Sequence, residues 1–269
     1  MGIRKDPLLH TRYWDRVENW FGGCVMADYS CRFCFAADLA RGLQTATGNA
    51  LHSGTTKLVK DVPTYNGHFT ERAPDDPLWG EILRWKGVKK PLMGPGQPSI
   101  WWLNSMTDLF VPGRPLAAVD RLLASFALSD HIALIWTKYP KEMVAYFATK
   151  PAFWRRRFFL GFSVPDQSLF NVRWPIMRPL AEQGWWVIVS LSPLLAPVVL
   201  PPDFLDRAKW VLVGGEQAPG NRPMVPDWAR SLRDQCRAAH LPFFLKQMAR
   251  GWIPPDLQIW EFPKNLIPM

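Results

Sequence analysis

"PLAAVDRLLASFALSDHIALIWTK" (residues 115–138) contains both of the periods that decide the fold. Apolar residues recur at helical spacing through 115–129, and "HIALIWT" (131–137) then runs apolar without alternation until Lys138. The first pattern buries one face of a helix. The second is a strand buried on both faces, as in a parallel sheet covered by helices. The same alternation extends outward. "SIWWLN" (99–104) lies upstream, and "FFLGFSV" (158–164), "WWVIVSLS" (185–192), "WVLVGGE" (210–216) and "PFFLKQ" (242–247) lie downstream. "PDWARSLRDQCRAAH" (226–240) is another amphipathic stretch, with Pro226 placed to open a helix. Strands alternating with helices predict an α/β fold. About six parallel strands, with one more near the cysteines, predict a partial (β/α) barrel rather than an open sheet. We read residues 1–269 as one domain. Residues 52–98, rich in Pro and Gly, form an irregular insertion with a short hairpin expected around Asn66-Gly67.

The chain is 48% hydrophobic and long enough to bury a full core. It shows neither an apolar run of about 18 residues nor the apolar core of a secretory signal, which predicts a cytoplasmic protein without membrane partners. A net charge of +9 favours an anionic partner such as nucleic acid, or equally a soluble basic surface. The fifteen tryptophans could stack on bases, but their pairs fall in strand-like runs, which points to the core for most of them.

Polar residues follow every strand. They are Ser105, Thr107 and Asp108; Thr137 and Lys138; Ser163; Ser190 and Ser192; Gly214, Gly215 and Glu216; and Lys246 and Gln247. These are the carboxyl ends of the strands, the functional face of a parallel barrel. One site is expected to gather them, although individual Ser and Thr residues also serve as helix caps.

Three of the four cysteines stand close together in "NWFGGCVMADYSCRFCFAADLARGL" (19–43), as Cys24, Cys31 and Cys34 in a C-x6-C-x2-C array. In a reducing compartment such clusters bind metal or carry redox chemistry more often than they form disulfides. Three thiolates can hold three irons of a [4Fe–4S] cluster and leave the fourth open to a ligand. Structural zinc is the alternative and needs a fourth ligand, for which Cys236, His52 and His68 are candidates.

A three-cysteine array with an aromatic residue beside its last cysteine, after the first strand of an α/β barrel, resembles the radical S-adenosylmethionine superfamily. The usual spacing there is C-x3-C-x2-C, and this chain has three more residues in its first interval. More closely, "GCVMADYSCRFCFA", "SMTDLF", "WTKYP", "LGFSVPD", "SLSPLLA", "VGGEQAPGNRP", "DWARSLRDQC" and "PFFLKQ" occur in the order found in a family of phage and prophage radical-SAM-like proteins. The resemblance spans about residues 18–248 and extends to spore photoproduct lyase, which acts on thymine lesions in DNA. It implies that Cys24, Cys31 and Cys34 ligate the [4Fe–4S] cluster. It also implies that Ser105, Asp108, Lys138 and Ser163 bind S-adenosylmethionine, Lys138 as the point charge for its carboxylate. An electron donor such as flavodoxin or ferredoxin is implied as a partner, and a host cytoplasm if the chain is phage-encoded.

The departures from the family concern the substrate. Tyr139 stands where relatives have Arg, Pro165-Asp166 where they have Glu-Asn, and Ser192 where they have Glu. Tyr139, Asp166, Ser192 and Glu216 are therefore expected to line the substrate pocket. Glu216 could instead pair with Arg222. Tyr139, Glu216 and Cys236 are the catalytic candidates, with Cys236 either a hydrogen-atom donor or a thiol packed on a helix face. The expected activity is a radical SAM rearrangement of a modified thymine in phage DNA, isomerase-like, with the base flipped from the stack. RNA, a peptide or a free nucleotide are rival substrates. A nucleic-acid-binding module with a structural metal is the rival class.

Overall fold

The computed structural model describes residues 11–249 and 252–264. Strands β1 (Arg16–Glu18) and β2 (Phe21–Gly22) precede the cysteines, and helix α1 (Phe35–Thr47) follows them. Strands β3 (Thr56–Val59), β4 (Val62–Tyr65) and β5 (Thr70–Glu71) and helix α2 (Leu78–Arg84) fill the connecting layer. From β6 (Ile100–Leu103) onward strand and helix alternate: α3 (Leu116–Ala127), β7 (Ile132–Thr137), α4 (Pro140–Phe147), β8 (Phe158–Ser163), α5 (Gln167–Glu182), β9 (Trp186–Leu191), α6 (Pro202–Arg207), β10 (Trp210–Gly214), α7 (Pro226–Ala238) and β11 (Phe243–Gln247). Seven strands form one parallel sheet in the order β1-β6-β7-β8-β9-β10-β11. The sheet curls into a half-barrel, the partial barrel expected from the sequence. The strand expected near the cysteines is β1.

Both faces of this sheet are packed, which explains the unbroken apolar strands. Outward residues such as Leu103, Ile135, Leu160, Val189, Val213 and Leu245 join the helices in one large core. Helix α3 contributes Val119, Leu122, Leu123 and Phe126 to it, the spacing read from the sequence. The alternate residues Ile100, Leu134, Phe159, Ile188, Leu212 and Phe244 fill the concave side with Tyr13 and Trp210. Each large side chain buried in this way contributes roughly 1.5–3 kcal/mol. Trp20, Trp101, Trp185 and Trp210 are among the largest fully buried side chains, so these tryptophans belong to the core. Among the described residues no helix is long and apolar enough to cross a membrane.

The connecting layer is more ordered than its sequence suggested, and its hairpin lies elsewhere. β3 and β4 pair antiparallel around Lys60-Asp61, whose φ angles of 49° and 60° are the left-handed values a tight hairpin turn needs. Asn66-Gly67 instead follows β4, and Gly67 N–H donates to the Cys24 carbonyl at 3.2 Å. β5 then pairs with β2 and stitches the layer to the cysteine segment.

Candidate active site

Side chains alternate between the two faces of a strand, so the inward set continues past the apolar floor onto polar residues at the carboxyl ends. Cys24, Cys31, Cys34, Ser105, Asp108, Lys138, Tyr139, Ser163, Ser190, Ser192, Glu216 and Lys246 all line one cavity of about 390 Å³. Tyr13, Trp14, Trp102 and Trp136 supply its aromatic wall. Gly161 is required here: a Cβ at that position would stand 2.1 Å from the Trp136 indole, which lies across it.

The cysteine loop is held from several strands at once. Its approach is tight, because a Cβ on Gly22 or Gly23 would lie 1.9 or 1.8 Å from the carbonyl oxygens of Leu51 and His68. Arg114 secures this turn by donating to the Gly23 carbonyl (2.8 Å) and to Thr107 Oγ1 (2.7 Å). Asp28 accepts from Ser30 N–H at 2.8 Å and starts the short turn Tyr29–Cys31. Its other carboxylate oxygen accepts from Arg173 Nη2 at 2.6 Å, and Arg173 Nη1 donates to the Ser163 carbonyl at 2.5 Å. One guanidinium on α5 thus ties the loop to the end of β8. Tyr29 Oη donates to Asp166, and Arg222 Nη1 donates to the Tyr29 carbonyl at 3.4 Å. Cys34 caps α1, whose Asp38 N–H donates to the Cys34 carbonyl at 3.1 Å.

Lys138 is the charge at the centre of the loop. Its Nζ donates to Ser30 Oγ at 2.6 Å and to Cys31 Sγ at 3.3 Å. Burial opposes its charge, but Cys31, Asp28 and Cys34 outweigh burial and hold the ammonium above its ordinary value. Burial lifts the Cys24 thiol to about 12 and raises Cys34 as well. For Asp28 burial acts upward, and Lys138, Ser30 and Arg173 together bring the carboxyl below its usual range.

Among the described residues no three His, Cys, Asp or Glu side chains are arranged to hold a metal ion. The fourth ligands considered for zinc lie elsewhere: Cys236 is in the outer core, and neither His52 nor His68 lines the cavity. An iron–sulfur cluster places a different iron before each thiolate, so its ligands stand apart around a shared space. Cys24, Cys31 and Cys34 line one cavity together with Lys138 and are the donor type such a cluster takes.

The remaining predicted residues divide by position. Ser105 Oγ accepts from Asn19 Nδ2 at 3.4 Å at the rim. Asp108 accepts from Thr137 Oγ1 (2.9 Å), Lys138 N–H (2.7 Å) and Phe110 N–H (2.9 Å), which locks the end of β7 to the loop after β6. Tyr139 Oη donates to the Val25 carbonyl at 3.2 Å. Glu216 is buried and pairs with Arg222, the alternative read from the sequence. Asp166 does not line the cavity. Its carboxylate accepts from Leu169 N–H at 2.9 Å as the N-cap of α5. Nor does Cys236, a fully buried residue of α7 packed in the outer core. In the sequence Asp28, Ser30 and Arg173 carry no signature of a role, and Lys246 shows only its place at a strand end. The available signal for Asp28 was its place two residues before Ser30, a turn-starting pattern.

A family model described as "Protein of unknown function (DUF5131)" matches residues 10–259. No curated protein matches the chain. Among solved structures it is similar to a spore photoproduct lyase double mutant with bound AdoMet and dinucleoside spore photoproduct, at 12% identity and a TM-score of 0.42, covering 91% of this chain and 80% of that one. It is also similar to the lyase complexed with dinucleoside spore photoproduct, at 12% identity and a TM-score of 0.42, covering 84% and 74%. A further lyase mutant matches at 10% identity and a TM-score of 0.44, covering 91% and 79%.

Proposed function

The chain belongs to the DUF5131 family of proteins of unknown function, and we propose that it is a radical S-adenosylmethionine enzyme that rearranges a modified thymine in phage DNA. The observation that carries this reading is that Cys24, Cys31 and Cys34 line one cavity with Lys138, at the carboxyl ends of a curled parallel sheet. When bound, a [4Fe–4S] cluster and S-adenosylmethionine would supply one-electron reductive cleavage of the sulfonium and, from it, a radical able to take a substrate hydrogen atom.

The chain's own residues hold, orient and shield. Cys24, Cys31 and Cys34 would hold the cluster. Lys138 offers a carboxylate its charge, Ser163 and Ser105 offer hydroxyl donors, and Asp108 fixes the Lys138 backbone. Tyr139, Ser192 and Glu216 form the substrate wall with the tryptophans, whose flat faces suit a base flipped out of the stack. The net charge of +9 supports contact with the DNA backbone. An exogenous one-electron donor of the flavodoxin or ferredoxin class is required.

Anaerobic reconstitution with iron and sulfide tests the reading. The expected result is a brown protein with broad absorption in the blue and about four irons per chain, lost in Cys24→Ala, Cys31→Ala and Cys34→Ala. A colourless protein that takes up stoichiometric zinc overturns it.

A further inference from the structure

We propose that the floor of the cavity is a carboxylate seat, in which Lys246 Nζ and Ser190 Oγ receive a carboxylate at the end of the substrate's side chain. This deepens the modified-thymine reading and rests on it, because it specifies an acid-bearing adduct.

Lys246 is 7% exposed and lines the cavity. Its Nζ donates to Ser190 Oγ at 2.8 Å, reaching past β10 to β9. The Tyr13 ring stands 4.7 Å from it and the Trp136 ring 5.0 Å. Among the described residues no carboxylate lies within ion-pair distance of it, whereas the buried Arg173 beneath the cysteine loop has Asp28 at 2.6 Å. A buried ammonium with one neutral acceptor and two ring faces remains under-solvated, and an anion is the partner that removes the deficit. Burial has pushed its pKa down to about 7, consistent with that deficit. Ser190 is 2% exposed and accepts from Lys246, and its own hydroxyl hydrogen remains to donate to the same anion.

The charge count selects the anion. The cavity lining contains two cations, Lys138 and Lys246, and no arginine. Lys138 is already engaged with Ser30 and Cys31. One ammonium neutralises a carboxylate, whereas a phosphomonoester would bring a second negative charge into an aromatic pocket. The seat also differs from the place offered to S-adenosylmethionine. Lys246 packs against Tyr13, part of the inner apolar core, and Lys138 packs against the cysteine loop.

Isothermal titration of the anaerobic protein, after iron and sulfide have been offered and the bound iron counted, decides the matter. The probes are 5-(carboxymethylaminomethyl)-2′-deoxyuridine, its primary amide, thymidine 5′-monophosphate and S-adenosylhomocysteine. The acid is expected to bind about tenfold or more tighter than the amide, a difference of roughly 1.4 kcal/mol. Lys246→Met is expected to bind both alike and to keep its affinity for S-adenosylhomocysteine. Lys246→Arg is expected to retain part of the preference. Equal binding of acid and amide by the wild type overturns the proposal. So does tighter binding of the monophosphate, or a loss in Lys246→Met confined to S-adenosylhomocysteine. The iron count reports separately on the radical reading, so a failure of either idea is distinguishable from a failure of the other.

Discussion

Arg173→Leu is expected to lower the unfolding free energy by about 3–5 kcal/mol, the cost of removing one partner from a buried ion pair. The side chains of Arg173 and Asp28 are 6% and 9% exposed and 2.6 Å apart. The substitution leaves Asp28 buried with Ser30 and Lys138 as its remaining partners, and it also frees the Ser163 carbonyl that Arg173 Nη1 satisfied. Because that guanidinium ties the cysteine loop to β8, iron uptake should fall together with stability. Urea unfolding followed by tryptophan fluorescence gives the first quantity, and iron content after reconstitution gives the second. Arg173→Lys keeps the charge but cannot span both acceptors in one plane, so it should recover only part of each. A change in stability under about 0.5 kcal/mol would show that the pair does not hold the loop.

Lys246→Met is expected to stabilise the fold, and to do so most at low pH. The folded-state pKa of Lys246, about 7, lies below its ordinary value of 10.5. Below pH 7 both states carry the proton and the fold bears the full cost of a buried ammonium. Between pH 7 and 10.5 the unfolded chain holds a proton that the folded chain has released, so wild-type stability rises with pH through this window. Above it the cost is gone. The stability advantage of Lys246→Met over wild type should therefore shrink by up to roughly 4 kcal/mol between pH 6 and pH 10.5. Comparing the two proteins cancels the titration of groups distant from Lys246, and burial holds the neighbouring Tyr13 hydroxyl well above its ordinary value, so that it keeps its proton in the fold across this range. Urea midpoints across that range supply the measurement. A constant difference, or a destabilised Lys246→Met, would mean that the ammonium is already compensated in the fold.

The parts of the fold legible in the sequence are those in which one segment decides its own environment. A strand such as "HIALIWT" has no polar face to expose, and the Leu-rich stretch before it has one, so a two-faced sheet covered by helices follows directly. Asn-Gly is the stronger turn signal in the sequence, yet the hairpin forms at Lys60 and Asp61, which accept positive φ once the flanking strands pair. Asp166 follows a strand, a position that predicts cavity wall. Its short carboxylate turned back onto its own helix N-terminus instead, as Asp commonly does. The Asp28–Arg173 pair joins residues 145 apart and exists only because the sheet curls. Lys246 could be placed at a strand end from the sequence. Its lack of a counter-charge is a property of the assembled cavity, and no local pattern encodes it.

The most direct measurement of the central claim is 5′-deoxyadenosine release by the reconstituted protein given S-adenosylmethionine and dithionite, assayed beside Cys34→Ala. Reductant-dependent 5′-deoxyadenosine and methionine are expected from the wild type, and none from Cys34→Ala with its circular dichroism unchanged. Iron-loaded wild type that releases no 5′-deoxyadenosine, or equal release by Cys34→Ala, would contradict it.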